Sequence, residues 1–262
     1  MTSTSAAYAT DDRTSYKLLA AHYDAFTDHP AHPEWFGRLE ALARRHGLRG
    51  KRALDVGCGS GRSTLALVER GYDVVGCDPC AEMLALAERR LPDRVPLTHA
   101  PAQELPQLGH FDYISCVGDI CNYMLEPAAL GAAFRGMAAN LADDGILLFD
   151  ANTPLTYRTF FGTIHYSSSA AGKMICHGFD PDKFTPNGIV EETIEIFEPD
   201  GELWRLRATR HAQRHHDHDT IRELLDDADL RIDGLYGQTD AGPPEQPVDT
   251  GRHTKAIYLV KR

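Results

Sequence analysis

Residues 52–63 read Arg52-Ala-Leu-Asp55-Val-Gly57-Cys-Gly59-Ser-Gly61-Arg-Ser63. A short apolar run followed by three glycines at alternate positions predicts a buried strand turning sharply into a helix. Glycine carries no Cβ, so such a turn tightens and lets backbone N–H groups come close to a ligand. The next helix, with Thr64, Leu65, Leu67 and Val68 on one face and its end at Gly71, offers its N-terminus to the same point. A second strand follows at residues 73–77, and Asp78 and Pro79 stand directly at its end. Doubly wound sheets bind ligands beyond the carboxyl ends of their strands. The glycine turn and Asp78 therefore mark the candidate site.

The alternation continues outward. Pro79 opens a helix with Met83, Leu84, Ala87 and Leu91 inward, which Pro92 stops. Strands are predicted at residues 95–98 and 111–117, then a helix from about Pro127 carrying Leu130, Phe134, Met137 and Leu141. Asp143-Asp-Gly145 turns the chain into a strand at residues 146–149. This spacing predicts parallel strands joined by right-handed crossovers with helices on both faces, an α/β doubly wound sheet. Upstream, Tyr16, Leu19, Tyr23 and Phe26 predict a helix from Ser15, and Trp35, Phe36, Leu39, Leu42 and Ala43 a second from near Pro33 to Gly47.

After Asp150 the rhythm changes. About sixty residues precede the next helix, too many for a structureless loop. Residues 189–197 and 202–211 alternate as a hairpin about Glu198-Pro-Asp-Gly201, with Trp204, Leu206 and Ala208 expected on its buried face. Thr220-x-x-Glu223 is a capping box, and residues 230–236 and 256–260 are the last strands. The chain thus divides into a mobile tail (1–14), N-terminal helices with a ligand-binding core (15–150), an antiparallel β cap (151–212), and a return helix with the last two core strands (213–262).

Composition narrows the function. With 27 Lys and Arg against 38 Asp and Glu the net charge is −11 and no basic stripe offsets it, so nucleic acid is not the expected partner. No apolar run approaches the ~18 residues of a membrane span. Residues 1–10 lack the basic start and apolar centre of a signal peptide, so a cytoplasmic location is expected. The six cysteines then read as free thiols. Cys77-x-x-Cys80 lacks a second pair, and His211, His215, His216 and His218 lack ligand spacing, so no metal is expected. The histidine run reads as a solvated junction, with His211 kept as a substrate contact or base.

Asp55-x-Gly57-x-Gly59-x-Gly61 resembles the first motif of class I S-adenosylmethionine-dependent methyltransferases. A dinucleotide Gly-x-Gly-x-x-Gly would need glycine where Arg62 stands, and a Tyr-x-x-x-Lys pair is missing. The resemblance runs in order through residues 71–84, 100–106, 111–123 and 140–145, and covers residues 50–150. It implies a seven-stranded sheet with an antiparallel last strand, an N-terminal helical lid, a cap inserted after the fifth strand, and S-adenosyl-L-methionine as cofactor. By resemblance, Asp55, Gly57, Gly59 and Gly61 shape the loop for the methionine tail and ribose. Asp78, beside Pro79, takes the ribose hydroxyls, and Met83 flanks the adenine. Pro101 stands where the family usually has an aspartate, leaving Gln103 or the Ala102 backbone to recognise the adenine amine. Val117 and Tyr23 complete the cofactor site, Tyr23 within Tyr23-Asp-Ala-Phe-Thr27, which resembles a lid-helix motif.

Methyl transfer needs a lone pair held in line with the methyl group, and a base only when the acceptor arrives protonated. Tyr8, Tyr16, Asn122 and His211 are the candidate catalytic residues, with Asp119 and Tyr123 beside Asn122. The nearest likenesses are bacterial N-methyltransferases of antibiotic amino sugars and lincosamide-type compounds. A small-molecule amine acceptor is expected, and a homo-oligomer is compatible with the sequence. The alternatives are O-methylation on the same scaffold, a non-catalytic cofactor-binding module, and an NAD(P)-dependent oxidoreductase.

Overall fold

The four residues after Arg52 in β1 (Arg52–Val56) are all buried, as a strand flanked on both sides and covered on both faces must be. The computed structural model describes residues 12–27, 32–239 and 242–262. Around β1 it arranges β2 (Asp73–Asp78), β3 (Leu97–His99), β4 (Phe111–Cys116) and β5 (Leu141–Asn152), with β10 (Arg231–Gly237) and β11 (Lys255–Lys261). The order is β10-β11-β5-β4-β1-β2-β3, and β11 alone runs antiparallel to its neighbours. The doubly wound sheet and its reversed last strand are as expected from the sequence. Strand order changes direction between β1 and β4, which opens a crevice at their carboxyl ends.

Helices cover both faces. Leu39, Leu42 and Ala43 of α2 (His32–Arg45) and Leu67 of α3 (Arg62–Glu69) pack on one. Leu130, Phe134 and Met137 of α5 (Pro127–Asn140), with Ile221 and Leu225 of α7 (His218–Asp226), pack on the other. α4 (Ala81–Arg90) packs beside α3 and against α1. The first helix, α1 (Asp12–Thr27), starts three residues before the expected Ser15. The rest of the expected tail lies outside the described residues.

After β5 come α6 (Pro154–Thr159) and a second, four-stranded antiparallel sheet: β6 (His165–Ser169), β7 (Gly172–His177), β8 (Ile189–Asp200) and β9 (Leu203–Arg214). This is the expected cap, but its hairpin faces the other way. Trp204 and Leu206 are 49% and 52% exposed, while Thr209, His211 and Gln213 are buried. Alternation separates the two faces of a strand without saying which one is inward. Here the inward face meets α1: Ile194, Ile196 and Cys176 cluster with Leu19, Tyr16, Tyr23 and Phe26.

α1 is clamped between cap and core. On the cap side His22 Nε2 lies 2.8 Å from Glu198 Oε1, and Arg207 Nε donates to the same carboxylate. On the core side Asp24 accepts from Ser60 Oγ at 2.8 Å and pairs with Arg62 at 3.1 Å and Arg90 at 2.5 Å. Arg62 also donates to the Thr27 carbonyl at 2.9 Å. The residue that breaks the dinucleotide pattern is thus the bolt of the lid. Burial raises the Asp24 pKa, but the hydrogen bonds from Arg90 and Ser60 outweigh it and hold the carboxyl below its usual range. Because Asp24 is partly exposed, Asp24→Ala should cost about 1 kcal/mol locally. Amide hydrogen exchange in α1 should then accelerate about fivefold while β1 and β4 keep their protection. Unchanged exchange in α1 would show that packing alone holds the lid.

Candidate functional site

Gly57, Gly59 and Gly61 sit at φ 73°, 53° and 83°, the left-handed region that favours glycine. A Cβ at Gly57 would lie 2.5 Å from the Ile120 side chain, and one at Gly61 3.1 Å from Cα of Ala87 in α4. The first glycine lets the segment after β4 approach, and the third lets α3 pack on α4. Gly57 and Cys58 both donate their N–H to the Cys77 carbonyl, at 2.8 and 2.9 Å. Gly59 N–H donates to Asp78 Oδ2 and Cys80 N–H to Oδ1, both at 2.9 Å. Each carboxylate oxygen keeps a lone pair for another donor. Burial raises the Asp78 pKa against the pull of these two backbone groups.

A cavity of about 420 Å³ lies between this turn, the end of β2 and the segment after β4. Gly57, Gly59, Asp78, Pro79, Met83, Ala102, Gln103, Val117, Tyr16 and Tyr23 all line it. Two expected cofactor residues do not. Asp55 is buried, and its Oδ2 accepts from Ser63 and Thr64 hydroxyls at 2.6 Å each, so it braces the first turn of α3. Burial pushes its pKa up to about 6 despite those bonds. Gly61 serves helix packing, as above. Trp35, Phe36, Ile120 and Met124 also line the cavity and were not singled out. Apolar residues at helical spacing carry no mark that separates a cavity wall from core.

The segment after β4 is fixed from below. Asp150 accepts from Gly118 and Asp119 N–H, at 3.1 and 3.0 Å, and Lys255 bridges Asp119 and Asp150. This holds Asp119 at φ 70°, a strained value for a non-glycine residue. Burial disfavours its charge, but Lys255 keeps the carboxyl below its usual range. Asn122, expected beside the reacting atoms, is fully buried and its amide is spent on the backbone. Its Nδ2 donates to the Arg214 carbonyl and its Oδ1 accepts from Asn152 N–H, both at 2.9 Å. Asn122 ties the loop to the cap and does not line the cavity.

Tyr123, the next residue, lines the cavity where Asn122 does not. Tyr16 Oη donates to Tyr123 Oη at 3.1 Å, and Tyr123 Oη lies 3.4 Å from His211 Nδ1. Burial and the neighbouring phenols raise the Tyr16 pKa, so it stays a hydrogen-bond donor at neutral pH. His211 packs edge-on against Tyr16 with ring centroids 5.3 Å apart. It is 1% exposed, and its Nε2 has no hydrogen-bond partner among the described residues. Burial pulls its pKa down to about 4, so the ring is neutral at physiological pH. Tyr8 lies outside the described residues.

The histidine run is not the expected solvated junction. His215 and His216 are buried, His215 against Tyr157 and Phe184, and His216 Nε2 lies 2.9 Å from the Met124 carbonyl. Only His218 of the four is exposed. Among the described residues no three His, Cys, Asp or Glu side chains converge as metal ligands. The sequence reading missed Glu192. It stands opposite His211 in the β8–β9 register, is 8% exposed, and pairs with no described residue. Burial, then the charge of Asp119, pushes its pKa up to about 7.

Residues 53–145 match a family model described as a methyltransferase domain. A protein of Geobacillus sp. (strain WCH70) with a provisional methyltransferase name is 30% identical over 148 residues, 55% of this chain and 59% of that protein. The dTDP-3-amino-3,6-dideoxy-α-D-glucopyranose N,N-dimethyltransferase of Streptomyces fradiae is 33% identical over 112 residues, 43% of this chain and 44% of that protein. The chain thus spans about half the length of these curated relatives. Among solved structures, the sugar N-methyltransferase KedS8 from Streptoalloteichus sp. superposes with a TM-score of 0.73 at 21% identity, over 100% of this chain and 99% of that one. The last likeness is one of fold, and it extends to the cap and lid.

Glu192 gives the site a pH signature. Its ordinary value is 4.5, so between pH 4.5 and about 7 the folded protein holds a proton that the unfolded chain has released. Its contribution to stability is full below that window and lost as pH rises through it. Glu192→Gln should therefore match the parent near the lower bound and exceed its stability at pH ~8 by up to ~3 kcal/mol. Urea unfolding at both pH values checks this. A variant less stable than the parent at the higher pH would show that the carboxylate has a partner.

Proposed function

From the match of residues 53–145 to a methyltransferase-domain model, we propose that the chain methylates an amine nitrogen of a small molecule with S-adenosyl-L-methionine. The observation that carries this reading is the stitched turn: three left-handed glycines, with a buried carboxylate whose oxygens are aimed by Gly59 and Cys80. Asp78 has no cation partner among the described residues and keeps free acceptor positions, which suits a neutral diol. Gly57 and Gly59 leave backbone room for the methionine tail. Met83 and Val117 offer apolar surface to the adenine. Pro101 stands where the family usually has an acid, and Gln103, which lines the cavity two residues on, supplies with the Ala102 backbone an acceptor for the adenine amine. The group, when bound, supplies a methyl on an electron-poor sulfur.

The chain's own residues contribute position and dryness. α1 covers the crevice, and its Tyr16 meets Tyr123 across the cavity wall. Aromatic faces and hydroxyl oxygens tolerate a cationic sulfur while excluding water. The likeness to the Streptomyces dimethyltransferase supports nitrogen as the acceptor.

Asp78→Ala should weaken S-adenosylhomocysteine binding by about ten- to a hundredfold in calorimetry, the loss of a buried charged acceptor. An unchanged affinity would remove Asp78 from the ribose role. Amine and hydroxyl compounds incubated with the parent protein and cofactor should yield amine products one methylene heavier by mass spectrometry. Methylated hydroxyls alone would make it an O-methyltransferase, and no product from any acceptor a binding module. Tyr16→Phe should lower turnover at least ~10-fold more than it lowers cofactor affinity, because the hydroxyl acts on the acceptor side.

A further inference from the structure

The cap buries two polar groups side by side that the cofactor reading does not use. Glu192 and His211 are direct partners across β8 and β9, both on the face turned toward α1. Glu192 is 8% exposed, and no described residue hydrogen-bonds or pairs with its carboxylate. His211 is 1% exposed, and its Nε2 is without a partner among the described residues. A buried carboxylate normally has a cation or several donors. His211 connects to the cavity through hydroxyls, first that of Tyr123 and then that of Tyr16, and both tyrosines line the cavity.

We propose that Glu192, with His211 beside it, forms the acceptor subsite, receiving a protonated amine behind Tyr16 and Tyr123 and taking its proton. This rests on the methyltransferase reading above and adds what kind of acceptor the site selects. An aliphatic amine is a cation at neutral pH, and an ammonium nitrogen has no lone pair to donate. The step is a plain proton transfer. An N–H bond of the ammonium breaks and an O–H bond forms on Glu192 Oε. The bonding pair stays on nitrogen as the lone pair that methylation requires. Neutral His211 can accept a hydrogen bond from a second N–H of the ammonium through Nε2. An alcohol arrives neutral and gains nothing from the carboxylate's charge.

The groups facing Glu192 fit this role. Asp119 and Tyr123 face it from the segment after β4, Cys176 from β7 and His211 from β9, with Tyr16 of α1 beyond His211. None of them is a cation at neutral pH. Lys255, the nearby ammonium, is held by Asp119 and Asp150. Burial and the Asp119 charge set Glu192 near neutrality, where a base can both take and release a proton.

Cyclohexylammonium and cyclohexanol, alike in shape, test the proposal by calorimetry on the full chain saturated with S-adenosylhomocysteine. At pH ~8 the ammonium should bind about tenfold or more tighter than the alcohol, and the preference should shrink by pH ~6 as Glu192 gains its proton. Glu192→Gln should abolish the preference at the higher pH while S-adenosylhomocysteine affinity stays within about twofold. Equal binding of the two probes by the parent protein overturns the proposal. So does a preference that survives in Glu192→Gln, which would move the anionic site to Asp119. Failure of S-adenosylhomocysteine to bind the parent protein would instead overturn the methyltransferase reading itself.

Discussion

One carbonyl and one carboxylate at the end of β2 organise the site. The Cys77 carbonyl takes the N–H groups of Gly57 and Cys58, and the Asp78 carboxylate takes those of Gly59 and Cys80. Two adjacent strand ends are thereby sewn to one loop, so the turn cannot open without orphaning buried backbone donors. Everything else at the site leans on this seam. Asp55 steadies α3 from beneath it, Arg62 and Ser60 reach from it to Asp24, and Asp24 carries the lid.

The core was legible because its signals are local. Glycines at 57, 59 and 61 report a backbone need, and Asp78 reports its place at a strand end. Both follow from chain geometry within a few residues. Asp55 and Asn122, expected at the site, stand outside the cavity lining for a related reason. A polar residue next to a site motif is as well used holding the loop as touching a ligand, and only the partners decide. For Asp55 the partners are the hydroxyls of Ser63 and Thr64, and for Asn122 the backbone of Asn152 and Arg214.

The cap was legible as a hairpin but not in its register. The turn was expected at Glu198-Pro-Asp-Gly201, which would set Glu192 opposite Arg207 as an ordinary ion pair. In the structure β8 continues through Asp200, and Gly201 and Glu202 make the turn, with Gly201 at φ 62°. A left-handed glycine suits the tight two-residue hairpin loop, which matches the twist of the flanking strands. The slip sends Arg207 opposite Ile196 and brings Glu192 opposite His211. Arg207 instead pairs with Glu198 near the lid.

The cap therefore reverses the usual order of a half-buried sheet. Toward the site it presents Glu192, Thr209, His211 and Gln213, and toward solvent Tyr166, Trp204 and Leu206. Burying polar groups costs stability unless they are satisfied, and a fold that only needed a roof would turn its apolar face down. β8 does so with Ile194 and Ile196 where it rests on α1, so apolar contact was available to the rest of the sheet as well. The polar residues gather where β8 and β9 pass the segment after β4. On the outer face the Lys173 ammonium lies 4.9 Å from the Trp204 ring centroid and shields part of the exposed surface. Stability has been given up at one patch of the cap and retained around it, the distribution expected of a surface shaped to hold a polar molecule.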